Sequence, residues 1–473
     1  MMCRPRPRQW KAVAVRAVID HFKSHFLADK NKSMMKTYAL VVSLTMVSML
    51  CVASPTMART MMVTNLADSG QGSLRAAITS ANENPNADTI RFPKHLAGTI
   101  VLTSGPIDIT SELMIDGPGA SRMTFSGNNT SRVFNLIPKS KLSLHNVTIA
   151  DACNTRQDDL TTITVTRGGA ILNDGGTLRL MRVTMRNNRT IDVEGSDVVG
   201  GGAVVNSGFA TLVASHCLFV DNRASGGRRY AFGGAIGSVT DSFAMIENCT
   251  FIGNEVTSGG TSYGGAIGNF GRSQLDIIKC VFDDNSARGS DANEKAFGGA
   301  IATRPGTVDA TGSMTEIDSC RFTGNRALST AGEPDAGGGA LYNERSMLLV
   351  GWSSFRRNEA VGGNASGGAI IATGLNDDEP FTEINRCDFS GNMVQGGIDG
   401  LAAGGALHNT FGLMSLTQTT IRHNLADGGD DGRGIGGGLY NLGTVTADQK
   451  TRRRIVDNTA STSFDDAFGL VIE

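Results

Sequence analysis

The residues best suited to chemistry in this chain lie in short, glycine-rich segments between apolar runs. Asp427-Gly428-Gly429-Asp430-Asp431-Gly432-Arg433 gathers three carboxylates, and oxygen-rich glycine loops of this kind bind Ca²⁺. The segment lacks the spaced nonapeptide pattern of calcium-binding repeats and the distal Glu of an EF-hand, so a solvated turn is the simpler reading. Asp427, Asp430 and Asp431 are the residues that would hold a cation, but no metal or other cofactor is expected. Asn376-Asp377-Asp378-Glu379 stands just before Pro380, and that setting reads as a surface turn. Asp377 and Asp378 remain binding candidates. Arg228-Arg229-Tyr230 and Glu294-Lys295 are the basic candidates for meeting an acidic glycan, although loop cations ordinarily face water. The histidines are scattered: His145 and His216 adjoin apolar columns, and His408 and His423 share one unit. None has the dense clustering of a zinc site. No residue is assigned a catalytic role.

The elements that carry these segments repeat. Gly-Gly pairs fall at 168, 201, 233, 264, 298, 338, 367, 404 and 436, at intervals of 29 to 40 residues. Each opens Gly-Gly-Ala-Ile or a close variant, passes through a polar–apolar alternation and ends in Phe-x-x-Asn, most often preceded by Cys. A period in this range means stacked units. Within one unit, Gly201–Asn206, Thr211–Ala214 and His216–Asn222 read as three short strands joined by turns, with Cys217 and Phe219 on one face. Such a coil is stable only on its neighbours, so equivalent residues form columns. Phe219, Phe251, Phe282, Phe322, Phe355 and Phe389 make an interior ladder, with Met185 before it and Ile421 and Ile455 after it. Asn188, Asn222, Asn254, Asn285, Asn325, Asn358, Asn392, Asn424 and Asn458 make a second, three residues on. Asn tolerates the left-handed turn conformation and pairs amide to amide when stacked, which accounts for the column without a ligand. The segments between each Asn and the next Gly pair vary in length and charge, and insertions on one face of a solenoid often mark its binding side.

Composition agrees. There are 60 glycines in 473 residues, about twice the usual ~7%. The net charge is −2, without the basic stripe of a nucleic-acid binder, so no nucleic-acid partner is expected. Two Trp and five Tyr leave room only for a small sugar-stacking platform. Residues 34–58 read as a signal peptide: Met35-Lys36, an apolar run from Ala39 to Ala53, then Thr56-Met57-Ala58 at the cleavage position. Residues 1–33 read as an upstream extension from a misassigned start. No apolar run after Arg59 is long enough to cross a bilayer as a helix. Residues 59–167 hold a cap and early coils. Ser73 caps a helix whose face is Leu74, Ala77 and Ile78, and Asn84-Pro85 stops it. Strands are expected at 89–92, 99–102, 113–116, 123–125, 133–137 and 142–149. Residues 168–460 are the repeats and 461–473 a C-terminal tail. Cys217, Cys249, Cys280, Cys320 and Cys387 occupy one column and are expected as free, buried thiols. An uncovered last coil would expose sheet edges, which favours end-to-end contact between copies.

The block VTNLADSGQGSLRAAITSANENPNADTIRF resembles the opening of bacterial secreted β-helix proteins of the CSLREA-domain type. The GGAI/FxxN alternation is similar to the polymorphic outer membrane protein repeat of chlamydial adhesins. Together these resemblances span about residues 59–460. They imply an all-β, right-handed single-stranded parallel β-helix, a pectate-lyase-like solenoid with an N-terminal capping helix. They also imply export and residence outside the cell or on its outer surface. The chlamydial adhesins end in an autotransporter barrel, and the residues after Asn458 are too few to build one. This fold hosts enzymes and adhesins alike. The regular repeats and the lack of a catalytic cluster favour adhesion or binding to an extracellular polysaccharide or host-surface ligand, without catalysis. The alternatives are a polysaccharide lyase or glycoside hydrolase acting on an acidic polysaccharide, and a structural surface spacer.

Overall fold

A computed structural model describes residues 57–469 apart from 161–162, 290–293, 307–311, 330–334 and 375–379. The chain winds into a right-handed parallel β-solenoid of about 12 turns. One turn shows the plan. Strand β1 (Val204–Ser207) follows the glycine pair, then β2 (Thr211–Ser215), β3 (Leu218–Val220), β4 (Arg223–Ser225) and β5 (Tyr230–Phe232). Each pairs in register with its counterpart one turn on, as Phe219 does with Phe251. The β2 strands form a sheet of thirteen, the β1 and β3 strands sheets of twelve, and the β4 and β5 strands sheets of ten. The neighbours within these sheets run parallel; the exception is the antiparallel pair Gln157–Leu160 and Ile163–Arg167.

The turn therefore has five strands rather than the three expected. The segments read as variable loops contribute two strands each, and these lie face to face over a thin layer of small side chains: Ala224, Val256, Ala287 and Ala327 from the β4 sheet, Ala231 and Ala296 from the β5 sheet. Alternation over three residues, with alanine inside, is too faint a pattern to announce a strand. The main tube is filled by larger residues from the β1, β2 and β3 sheets, including Ile236, Leu212 and Phe219. The Phe ladder forms as expected. Successive rings from Phe219 to Phe389 stack at 4.6–4.8 Å and within 5° of parallel. That spacing is the inter-strand distance itself, so the ladder, rather than the rings' own preference for offset or edge contact, sets the geometry.

The Asn column is fully engaged. The Asn222 Nδ2 donates to Asn254 Oδ1 at 3.0 Å and to the Met185 carbonyl at 2.9 Å, and the Asn222 backbone N–H reaches the same Asn254 oxygen. The pattern continues to Asn458. The left-handed residue is not the Asn but the one before it: Asn187, Asp221, Asp284, Arg357, His423 and Asp457 all have φ of 51–56°. The amide leaves the turn to its neighbour because it is buried and bonded along the axis. The six cysteines described are free and buried. The Cys217 N–H donates to Cys249 Sγ, and burial pushes the Cys387 thiol up to about 12. Glycine is required where coils touch: a Cβ at Gly202 would collide with the Gly234 carbonyl.

Both ends are covered. Helix α1 (Leu74–Asn82) starts at Ser73, whose side chain accepts from the Ala76 N–H, and buries Leu74, Ile78 and Ala81. The early strands fall within two residues of expectation, except that 142–149 breaks in two at Asn146, φ 55°. At the far end, residues 461–469 wind on in parallel register with the turn before, Ser463 beside Ile435 and Ala467 beside Leu439. The Asp466 carboxylate there accepts from both the N–H and the Nδ2 of Asn458, in the position a further Asn would occupy.

Candidate functional site

The sheet with the most strands, thirteen, is the β2 sheet, and one of its faces lies outside the tube. Most of its strands alternate, though Met347 and Phe381, at outward positions, are themselves buried. In Gln274–Ile278, Leu275 and Ile277 enter the core while Gln274, Asp276 and Ile278 face out. Register then lines these outward positions into columns. The first reads Phe243, Gln274, Met314, Met347, Phe381, Leu413. The second reads Met245, Asp276, Glu316, Leu349, Glu383, Ser415. The third reads Glu247, Ile278, Asp318, Gly351, Asn385, Thr417. Asp276 and Glu316 stand side by side on adjacent turns, and Gln274 Nε2 donates to both Asp276 oxygens at 3.0 and 3.3 Å.

Exposed aromatic residues border this face. Phe209 and Phe411 lie at the turn from β1-type to β2-type strands and are 76% and 55% exposed. Trp352 lies at the opposite border, between β2-type and β3-type strands, and is 61% exposed. All three have φ of 50–63°, a region uncommon for any residue and an outlier for bulky ones. The Arg386 guanidinium sits 4.4 Å over the Trp352 ring and is held by Gln418 Oε1, 3.1 Å from its Nε. None of these residues stands out in the sequence, because each fills its repeat position once or twice and leaves no column to notice. For Trp352 the available signal is an aromatic residue where the other repeats carry Arg182, His216, Asn248, Lys279 or Ser319.

The residues singled out from the sequence are dispersed. Arg228 and Arg229 lie in the turn between β4 and β5, 3.5 and 3.8 Å from Asp197. Thr164 hydrogen bonds and these two cations hold the Asp197 carboxyl below its usual range. Tyr230 opens β5 and joins an aromatic wedge between the β5 and β1 sheets, with Tyr263 and Phe270 at 6.2 and 6.1 Å. Arg304 lies 4.7 Å over the Tyr263 ring and 3.2 Å from Glu344, which also accepts from the Tyr342 hydroxyl. Four of the five tyrosines, 230, 263, 342 and 440, lie along this angle, but most wedge rings are buried, so it fastens sheets together rather than presenting a platform. Lys295 pairs with Asp335 at 2.6 Å. Asp427 turns back to the Gly429 N–H, while Asp430 and Asp431 are exposed. Arg229 and Asp430 are six turns apart, roughly 29 Å at ~4.8 Å per turn. Asp377 and Asp378 lie outside the described residues. No three His, Cys, Asp or Glu side chains are grouped to hold a metal among the described residues. His216 Nδ1 is 2.8 Å from Ser215 Oγ. His408 is buried against Tyr440, and burial lowers it to about 4.

Residues 319–344 match the model of the Chlamydia polymorphic membrane protein repeat. No curated protein matches the chain. The match covers a stretch from the Ser319 corner through the glycine pair to Glu344, so the β-helix carries a unit similar to this repeat. It does not reach the opening block at 63–92, whose CSLREA-type likeness stays a resemblance. No helix among the described residues is long and apolar enough to cross a membrane.

Proposed function

We propose that this is a secreted or cell-surface β-helix protein that binds an extended extracellular ligand, a polysaccharide or host-surface glycan, along the outer face of the β2 sheet, in adhesion and without turnover. Export rests on the leader read at residues 34–58 and on the kind of protein whose repeat the chain matches. The observation that carries the binding reading is the set of corner aromatics. Phe209, Trp352 and Phe411 are exposed and left-handed at once. The left-handed backbone belongs to the corner itself, since Lys279, Ser319 and Arg386 share it; what the tube does not call for there is a large apolar ring held in water, and exposed apolar surface of this kind marks binding sites. A thirteen-stranded face bordered by such residues suits a long ligand lying across many turns. The expected result is retention of the purified chain on host cells or immobilised glycans with the glycan recovered intact. Loss of retention on every surface tried would leave a spacer.

One observation favours catalysis as the second reading. Asp276 and Glu316 are paired carboxylates on adjacent turns, with Glu383 in the same column, and carboxylate pairs cleave glycosidic bonds when their separation fits. Incubation with acidic polysaccharides decides it. Reducing ends or ultraviolet-absorbing unsaturated products, abolished by Asp276→Asn, would replace adhesion with turnover.

A further inference from the structure

The Trp352 corner has the makings of a sugar subsite. The indole has two faces. Arg386, in the equivalent position one turn on, covers one of them at 4.4 Å. The other looks to the preceding turn, where register places Ser319 at the same corner. Ser319 is small and exposed, and its level lies ~4.8 Å from that of Trp352. Carbon surfaces in contact need ~3.5–4.0 Å. The step from Trp352 to Ser319 therefore leaves a ledge about one ring thick, with the next large corner side chain, Lys279, another turn away.

Polar groups converge on that ledge. Ser319 Oγ donates to Asp318 Oδ2 at 3.0 Å, leaving the other carboxylate oxygen, Oδ1, to accept. Directly across the ladder from Asp318 is Gly351. A Cβ there would stand 3.1 Å from Asp318 Oδ1, so the missing side chain keeps the path from Asp318 to the indole open. A flat apolar ring flanked by a carboxylate acceptor and a hydroxyl is the arrangement that recognises a pyranose, whose C–H face stacks while its hydroxyls donate. Asp318 and the exposed Glu316 on the same strand are matched by two cations, Lys279 and the Arg386 behind the indole, a balance that suits an uncharged sugar. We infer that Trp352, Asp318 and Ser319 form a binding subsite for a neutral pyranose unit of the ligand, with Arg386 and Gly351 as positioning residues. This rests on the binding reading above and assigns it a place.

The chain has two tryptophans, Trp10 and Trp352, so in a full chain carrying Trp10→Phe the fluorescence reports this corner alone. Titration with neutral cello-, xylo- and chito-oligosaccharides is expected to give a saturable emission change with at least one. Asp318→Asn should weaken that ligand about tenfold, and Ser319→Arg, which fills the ledge and leaves the indole in place, should abolish the change. An emission change only with oligogalacturonate, no change with any probe, or an unchanged titration in Ser319→Arg would each overturn the assignment. Retention of the unmodified chain on glycan surfaces, measured in parallel, separates the two readings: if it persists in Ser319→Arg at full strength, binding stands and this subsite falls.

Discussion

Asn325 makes five hydrogen bonds at once. Its oxygen accepts from the N–H and Nδ2 of Asn285, its Nδ2 donates to Asn358 and to the Phe282 carbonyl, and its N–H donates to Asn358. Asn325→Ala strands several of these in a dry interior, at ~1–3 kcal/mol for each buried group left unpaired. A loss of about 3–5 kcal/mol in equilibrium denaturation is expected, against little for an exposed residue such as Lys279. His408 makes a second case, with pH as the variable. Its folded value of about 4 lies below the ordinary 6.5, so between these the unfolded chain binds the extra proton. Stability is complete above pH ~6.5 and falls as pH drops toward 4, by up to about 3 kcal/mol once below both values. Thermal unfolding between pH 7 and 4 should show this slope, and His408→Phe should flatten it. The Asn column was readable because it recurs in every unit. Trp352 was not, because a singular residue has no column to define its surroundings.

Asp68 ties helix α1 to the first turns, alongside Asn82, which bonds Asp108 and Thr110 directly. Asp68 takes Arg75 at 2.8 Å and the N–H groups of Thr103 and Ser104 at 3.0 and 2.8 Å. Burial alone would raise its pKa, but the bonds from Ser104, Arg75 and Thr103 prevail and hold it well below the usual range. The lock is therefore complete above the ordinary carboxylate value and is released as pH falls through the lowered one. Asp68→Ala should reduce hydrogen-exchange protection across residues 98–116 at least tenfold while the repeats near Phe322 are unaffected. Sequence revealed α1 through its cap and apolar face, and β1 to β3 through large residues alternating with polar ones. It missed β4 and β5 because they are short, their inward residue is alanine or valine, and the turns between them differ from unit to unit. In their described residues the segments expected as loops hold two short strands each, packed on one another, and the outer β2 sheet presents columns of its own.

Across the molecule, the tube ends by imitation. Asp466 supplies the oxygen that the next Asn would have offered Asn458, and Thr451 Oγ1 accepts from the Thr419 N–H, as Cys249 does for Cys217. Asp466→Ala should fray the last turn and bare its edges. Concentration-dependent self-association in sedimentation velocity is the expected sign. The amide column also has a direction. From Asn188 to Asn458 each side chain gives toward the C-terminal neighbour and receives from the one before, so any unit presents the same two halves of the bond. Deleting or duplicating one whole unit would therefore rejoin matched halves, whereas a change of a few residues within the Phe-x-x-Asn step would not. Descendants of this chain can grow or shorten by entire rungs, changing their reach without redesigning what lies between the caps.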